Sequence, residues 1–521
     1  MSSYKTNAVM YSFIIAMGGF VFGLDSALIS GTVNYIVQEF GLSTMQLGMA
    51  VSAPGLGVLI ALPFASYICN RYGRKKATQI VALLYLISAI TSAFAPNFWT
   101  LVAARFLGGL AFSSISLASM YIGEIAPPKF RGKLVAMTQI NIVIGLSAAY
   151  FVNYFIQSSG DTGAGWASAI GFDQYTWRWM LGSEILPALL WYVLLFLIPE
   201  SPSWLTYRGR LEEAKKTLSK IYPAEEIAHH IEEMQASLKL SAEDHSVRSQ
   251  LKEIFSWRMR IIMIVAITIA IAQQSTGINA ILFYAPTVFE QLGAGSNAAF
   301  VQSVWVGLIS IVGTVCGLLL VDRIGRRPMI VWGMVWIIAS LGVCFYGFKT
   351  ARYEVPADAI IEMADVPNVE QLNEIVGVEY SSDIEFKAAL TKVLGEETVR
   401  DHSSSLLKAS VTMKATLVLI GILSFIMAFQ FSVGPVMWVL FSEIFPISLR
   451  GTAIPLVTII TSLTSWLVQF LFPWQLANLG AANTFLFYAI TVAIGLVIMA
   501  MFLKETKGLS IEEIQLDWLK D

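Results

Sequence analysis

Apolar runs of roughly 20 residues recur along the chain, at 9–30, 46–68, 78–95, 99–121, 134–156, 178–198, 260–288, 299–321, 328–348, 411–440, 452–473 and 481–503. About 20 apolar residues in a helix match the thickness of a bilayer's hydrocarbon core, so the pattern predicts twelve transmembrane helices. Two longer polar stretches interrupt it. Residues 199–258 show helical periodicity in LEEAKKTLSKIY and EEIAHHIEEMQASLKL and read as short amphipathic helices. Residues 350–410 are acidic (Glu354, Asp358, Glu362, Asp365, Glu370, Glu374, Glu379), with helical patches in VEQLNEIV and EFKAALTKVL. This second insert reads as a solvated surface cap, with a substrate-capturing lid as the alternative.

The cations give the orientation. Five of the six odd connections (31–46, 92–98, 157–176, 289–298, 474–480) hold no Lys or Arg; the sixth is the acidic insert. The even ones carry Arg71, Arg74, Lys75 and Lys76, then Lys129, Arg131 and Lys133, then Arg323, Arg326 and Arg327, and finally Arg450. The positive-inside rule then puts both termini and the 199–258 linker in the cytoplasm and the acidic insert outside. The two halves repeat: NRYGRKK at 70–76 returns as DRIGRRP at 322–328, and GEIAPPKFRG at 123–132 as SEIFPISLRG at 442–451. The expected division is a six-helix half (1–198), a cytoplasmic linker (199–258), a second half with the insert (259–510) and a tail (511–521). Matched motifs after equivalent spans imply two parallel half-bundles with a site at their interface.

Composition narrows the function. Hydrophobic residues make up 56% of the 521 and charged ones 13%, with mean hydropathy +0.66, which excludes a string of soluble domains. Cys69, Cys316 and Cys344 lack metal or redox spacing, and the four histidines lie in polar segments, so no disulfide framework, metal site or intramembrane histidine relay is expected. Neither a phosphate loop, a nucleophile–base pair nor a basic aromatic stretch is present; an enzyme, a cofactor and a nucleic-acid partner are not expected. The first run lacks a small-residue cleavage site and reads as a retained span.

Within GGFVFGLDSALISG (18–31) one carboxylate, Asp25, stands in an apolar helix. A charge there costs about 2.5 kcal/mol or more, which marks it as functional. Counting from the helix ends puts Asp25, Arg105 and Glu184 at one depth in the outer half, where an acid, a base and an acid can satisfy one another. Arg105 favours the ionised Asp25 and its withdrawal the protonated form, so the trio would act as a proton switch. A static ion pair that only fixes packing is the alternative. At the inner face Arg74 and Arg326 follow glycine turns near Glu124 and Glu443, with Arg131 and Arg450 seven residues beyond those acids. Such pairs would latch the inner side while the outer side is open, or merely anchor positive loops.

FGLDSALISG, NRYGRKKA, ARFLGG, YIGEIAPPKFRGKL, PESPSWL, QQSTGIN, DRIGRRP, GPVMWVLFSEIFPISLRG and ETKG occur in this order. On them the chain resembles the sugar porters of the major facilitator superfamily, bacterial D-xylose–proton symporters in particular, everywhere but in the 350–410 insert. The resemblance implies an all-α fold of two six-helix halves, alternating access, and proton-coupled monosaccharide symport by a monomer in the bacterial inner membrane. Its partners would be the sugar, the proton and the lipid bilayer. It implies coupling through Asp25, Arg105 and Glu184, and a sugar site of Gln139, Gln273, Gln274, Asn279 and Trp438. Amides suit hydroxyls that both donate and accept. Gly277 would break the seventh span to gather its amides, and the Gly434-Pro435 pair would break the tenth. Phe283 and Tyr284 would gate the outer side.

Departures from the pattern bear on specificity. Thr461-Ser462, Val433 and Leu146 replace larger polar or aromatic groups, which widens the pocket and makes a hexose as suitable as a pentose. Lys504 before the terminal ETKG would loosen that corner. A uniporter, a sodium-coupled carrier and a sugar sensor with little turnover stay open.

Overall fold

The computed structural model describes residues 3–126, 128–163, 165–241, 247–363, 366–509 and 513–514; the side chains at 128–132 are also outside the description, Arg131 among them. Among the described residues, eleven helices are long and apolar enough to cross a membrane. They include span 1 (Ser3–Phe40), span 2 (Thr44–Tyr72), span 3 (Arg74–Ala93), span 4 (Phe98–Ala111 continuing as Ser114–Ile125) and span 5 (Pro128–Asp161). In the second half follow span 7 (Arg260–Gln274 and Ile278–Phe283), span 8 (Ser296–Ile324) and span 9 (Arg326–Lys349). Span 10 (Ala415–Phe431 and Val433–Ile444), span 11 (Ile447–Asn478) and span 12 (Gly480–Phe502) complete it. The twelfth member, span 6, is present as two short helices, Thr176–Gly182 and Ile185–Leu194, and neither alone is long enough. Its break falls at Ser183-Glu184.

Span 1 corrects the depth count. Its helix does not stop at residue 30 but runs on to Phe40. The extra turns, TVNYIVQEF, carry polar groups with partners waiting: Asn34 meets Glu290, Gln38 the Asp401 carbonyl, and Glu39 Arg178. Hydropathy alone ends the span where these begin. Span 10 departs as well, because its break lies at Ser432 (φ −121°, ψ −91°) and not at Gly434-Pro435. Pro435 sits in the first turn of the second segment, where a missing N–H costs nothing.

Small residues set the helix spacing, as expected where lipid removes the hydrophobic drive between helices. A Cβ on Gly23 of span 1 would lie 1.9 Å from the Ile142 carbonyl of span 5, and one on Gly145 2.1 Å from the Phe20 carbonyl. The backbones of these two spans therefore touch. Between the halves, Gly48 of span 2 abuts the Phe470 carbonyl of span 11, and Gly307 of span 8 abuts Ser147 of span 5.

The linker folds as helices Pro202–Tyr207, Leu211–Leu218, Ala224–Ser241 and Val247–Ile254. The acidic insert is more than a solvated cap. It opens and closes on a two-residue antiparallel pair, Arg352–Tyr353 with Val411–Thr412. Between them Tyr353, Val355, Leu372, Phe386, Leu390 and Leu406 bury a hydrophobic core of its own. Asp383 Oδ2 accepts from the Ala481 N–H at the start of span 12, and Lys387 Nζ donates to Gln291, so the insert rides on the second half.

Gly23→Ala is expected to lower the thermal midpoint in detergent by the equivalent of about 1–3 kcal/mol, since the methyl must push two helices apart. Gly342→Ala in span 9, where an added Cβ meets nothing within 4 Å, should leave the midpoint unchanged.

Candidate functional site

Three ionisable side chains meet in the first half. Asp25 and Arg105 are each 2% exposed, with Arg105 Nη1 2.5 Å from Asp25 Oδ1. The same nitrogen reaches the Asp25 carbonyl at 3.4 Å. Glu184, 3% exposed, hangs from the break in span 6, and Asp25 and Arg105 are the charges that act on it. Tyr85 and Ser88 of span 3 close the cluster: both carboxylates and the guanidinium act on the Tyr85 phenol, and Ser88 donates to the Ala104 carbonyl. Hydrogen bonding is incomplete, since Asp25 Oδ2, Arg105 Nε and Glu184 Oε1 have no partner. Fully ionised, two acids and one base leave a buried charge of −1; one added proton makes the cluster neutral.

In the second half the amides of span 7 come together around Gly277, whose φ of +80° suits glycine and whose missing Cβ would strike the Tyr488 ring at 2.4 Å. Without the break, Gln274 and Asn279 would diverge around a helix. With it, Asn279 Nδ2 donates to Gln274 Oε1 at 2.8 Å and to Ser465 Oγ at 2.7 Å. Gln274 Nε2 donates to Gln273 Oε1 at 2.8 Å, and Gln273 Nε2 reaches the Gly434 carbonyl at 3.4 Å. Gln469 Nε2 also donates to Ser465 Oγ, at 2.8 Å. The chain of amides thus crosses from span 7 to spans 10 and 11. Gln139 is half-buried and Trp438 43% exposed; neither hydrogen-bonds into this chain in the conformation described.

Tyr284 follows directly at the end of span 7. It is buried, donates to the Gln469 carbonyl at 3.2 Å and packs on Phe472. Beside it Tyr150 of span 5 donates to the Leu282 carbonyl at 2.6 Å, a bond between the halves. Phe283 is partly buried against the same core. Among the described residues, every hydrogen bond between 1–198 and 259–510 lies at this level or nearer the insert. The halves are closed at the insert-bearing end.

At the linker-bearing end the motif pairs form within each half. Arg74 Nη2 lies 2.8 Å from Glu124 and Arg326 Nη2 2.7 Å from Glu443. Each acid takes a second bond, from Ser201 and from Thr506. The turn glycines, Gly73 (φ +91°) and Gly325 (φ +105°), each make room for a further carboxylate. Glu200 accepts from the Lys75 and Ser201 amides, and Glu505 from those of Arg326 and Arg327. Lys504 therefore does not loosen its corner, because Glu505 is held as Glu200 is. These pairs persist while the opposite end is shut, so they staple helices inside each half rather than tie the halves together. Arg450 differs: its Nε donates to the Phe445 carbonyl, its Nη2 is unpartnered, and no carboxylate is paired with it among the described residues.

The sequence reading missed Ser465, Gln469, Tyr85 and Tyr150. Each is a polar residue in an apolar span, but so are many that merely bond their own helix, as Thr461 does to the Val457 carbonyl. Only the fold separates the two kinds.

Arg105→Ala should destabilise the protein by about 3–5 kcal/mol, because two buried acids lose the one cation that acts on them among the described residues. Combined with Asp25→Asn the loss should be smaller than the sum of the single effects, as a thermal double-mutant cycle in detergent would register.

The family described as "Sugar (and other) transporter" matches residues 11–360 and 401–518, leaving the heart of the insert unmatched. The D-xylose-proton symporter of Escherichia coli (strain K12) is 30% identical, over 99% of this chain and 97% of the relative. The arabinose-proton symporter of Bacillus subtilis (strain 168) is 29% identical, over 98% and 95%. A solved structure described as a partially occluded inward open conformation of the xylose transporter XylE from E. coli superposes with a TM-score of 0.72 at 28% identity, covering 97% of this chain and all of that one. With its paired halves, its gathered amides and its buried trio of charges, the chain belongs to the sugar transporter family.

Proposed function

We propose that this protein is a proton-coupled importer of a pentose or hexose, with both termini in the cytoplasm and the acidic insert outside. The excess of one buried acid over the buried base carries the reading. The cluster of Asp25, Arg105 and Glu184 is neutral only with a proton aboard, so loading and release are tied to the movement of Arg105. Gln273, Gln274 and Asn279, with Ser465 behind them, supply the donors and acceptors for sugar hydroxyls. In the closed conformation those amides bond one another, and a sugar would exchange these bonds for its own. Gln139 and Trp438 reach the sugar from the facing spans.

Alternating access joins the two sites. Tyr284, Phe283 and Tyr150 close the outer side, while the unpartnered Nη2 of Arg450 is available to pair when the inner side shuts. One proton falling through roughly 100 mV releases about 2.3 kcal/mol. That sustains roughly a 50-fold sugar gradient.

Uptake into proteoliposomes, over a panel of labelled pentoses and hexoses, tests the proposal. Wild type should accumulate one sugar only under an inward proton gradient, and Asp25→Asn should exchange that sugar without concentrating it. Equilibration by both proteins alike would make the chain a uniporter with a structural Asp25. Ser465→Ala is expected to weaken sugar binding about tenfold, the worth of one hydrogen bond that orients Asn279, with little change in the pH dependence of uptake.

A further inference from the structure

Beyond the central sites, a cavity of about 150 Å³ lies between the halves at the insert-bearing end. Span 1 contributes Asn34 and Tyr35, the short helix Ala285–Glu290 beyond span 7 contributes Thr287 and Glu290, span 8 contributes Phe300 and the insert Ser404. Glu290 is 5% exposed. Both its oxygens lie 2.9 Å from Asn34 Nδ2, so one amide of the first half holds a carboxylate of the second. Thr287 Oγ1, one turn back, is buried and unpartnered.

No cation is paired with Glu290 among the described residues. On span 1 the nearest titratable group is Tyr35, whose hydroxyl bonds Gln157, itself tied to Asp161; Glu39 turns away to Arg178. Span 8 offers Ser296 and Phe300. From the insert, Lys408 lies over Gly295, Arg400 is engaged by Asp401 and Glu397, and Lys387 is held by Gln291 and Asp383. A carboxylate only 5% exposed, with one neutral side-chain donor, is poorly matched to its charge.

We propose that Glu290 is a second proton-binding site of this transporter, which takes a proton from the outer solution as the halves close over it. The site is separate from Asp25, and its protonation governs the outer gate rather than the driving force for uptake. Burial raises the Glu290 carboxyl to about 7, with the Asn34 bond pulling the other way. When the halves part, Asn34 leaves and water returns, and the group regains the ordinary value of about 4.3. The closed state therefore binds more protons. Its advantage is complete below about 4.3 and is lost as the pH rises through about 7. Protonation closes the outer gate, and deprotonation frees it to open.

Spin labels at Met45→Cys and Asn297→Cys, exposed positions on the two halves, read the outer gap directly once Cys69, Cys316 and Cys344 are replaced. The ratio of the open to the closed population, read from the distance distribution, should rise about tenfold between pH 6 and 8 in the sugar-free carrier and level off above. In Glu290→Gln the ratio should not vary with pH, and in Asp25→Asn the rise should remain. Asn34→Ala should move the plateau to higher pH, a shift that a packing defect would not produce. Should Glu290→Gln fail to fold, Asn34→Ala still decides the matter. A wild-type ratio independent of pH, a rise that survives Glu290→Gln, or one that disappears with Asp25→Asn would overturn the proposal. None of these outcomes bears on whether uptake is proton-coupled, which the proteoliposome measurement decides.

Discussion

A guanidinium buried with two carboxylates and bonded to one of them sets the terms for the first half. Arg105 bonds Asp25 through one nitrogen and leaves Nε idle, while each acid keeps an oxygen without a partner. Burying three charges costs several kcal/mol per ion, and incomplete pairing recovers only part of it. Such an arrangement is held by its surroundings: span 1 pressed on span 5 at Gly23 and Gly145, and span 6 broken where Glu184 must turn inward. The rigid frame keeps a loose cluster in place. A better-satisfied cluster would bind its proton or its arginine too firmly to exchange them.

Much of the architecture was legible because the bilayer constrains the sequence so strongly. Twelve apolar runs, the alternation of basic connections and two repeated motifs lead directly to paired six-helix halves. The depth count that joined Asp25 to Arg105 and Glu184 reached the right neighbours from a wrong end point, since span 1 outruns its apolar stretch. What stayed hidden were partnerships between distant elements. Nothing local to Asn34 or Glu290 marks them as a pair, and Ser465 looks like any span serine until span 7 unwinds at Gly277 and turns Asn279 toward it. The Pro435 break was misplaced for a related reason: proline signals a break, yet a first turn tolerates it, and the break falls one position before that segment.

The repeat extends further than its motifs. In each half a glycine turn receives a carboxylate, which takes the amides of the next helix, while the arginine after the turn is held by an acid of another span. Glu200 and Glu505 perform this at opposite places in the chain, although PESPSW and KETKG share few letters. A positive φ and an empty Cβ position are what the two have in common. The geometry has been kept where the sequence has drifted, so each half holds its own inner ends together and can move as one body.

The insert begins and ends on the same two-residue ladder, and it carries a hydrophobic core of its own. Its first and last residues are consequently adjacent, and spans 9 and 10 are joined by what amounts to a single short bridge whether or not the cassette is present. Removing this segment would leave the connection between the spans intact and cost the carrier the contacts that Asp383, Lys387, Asp401 and Ser404 make with it. Such a site would accept a foreign domain as readily as its present guest.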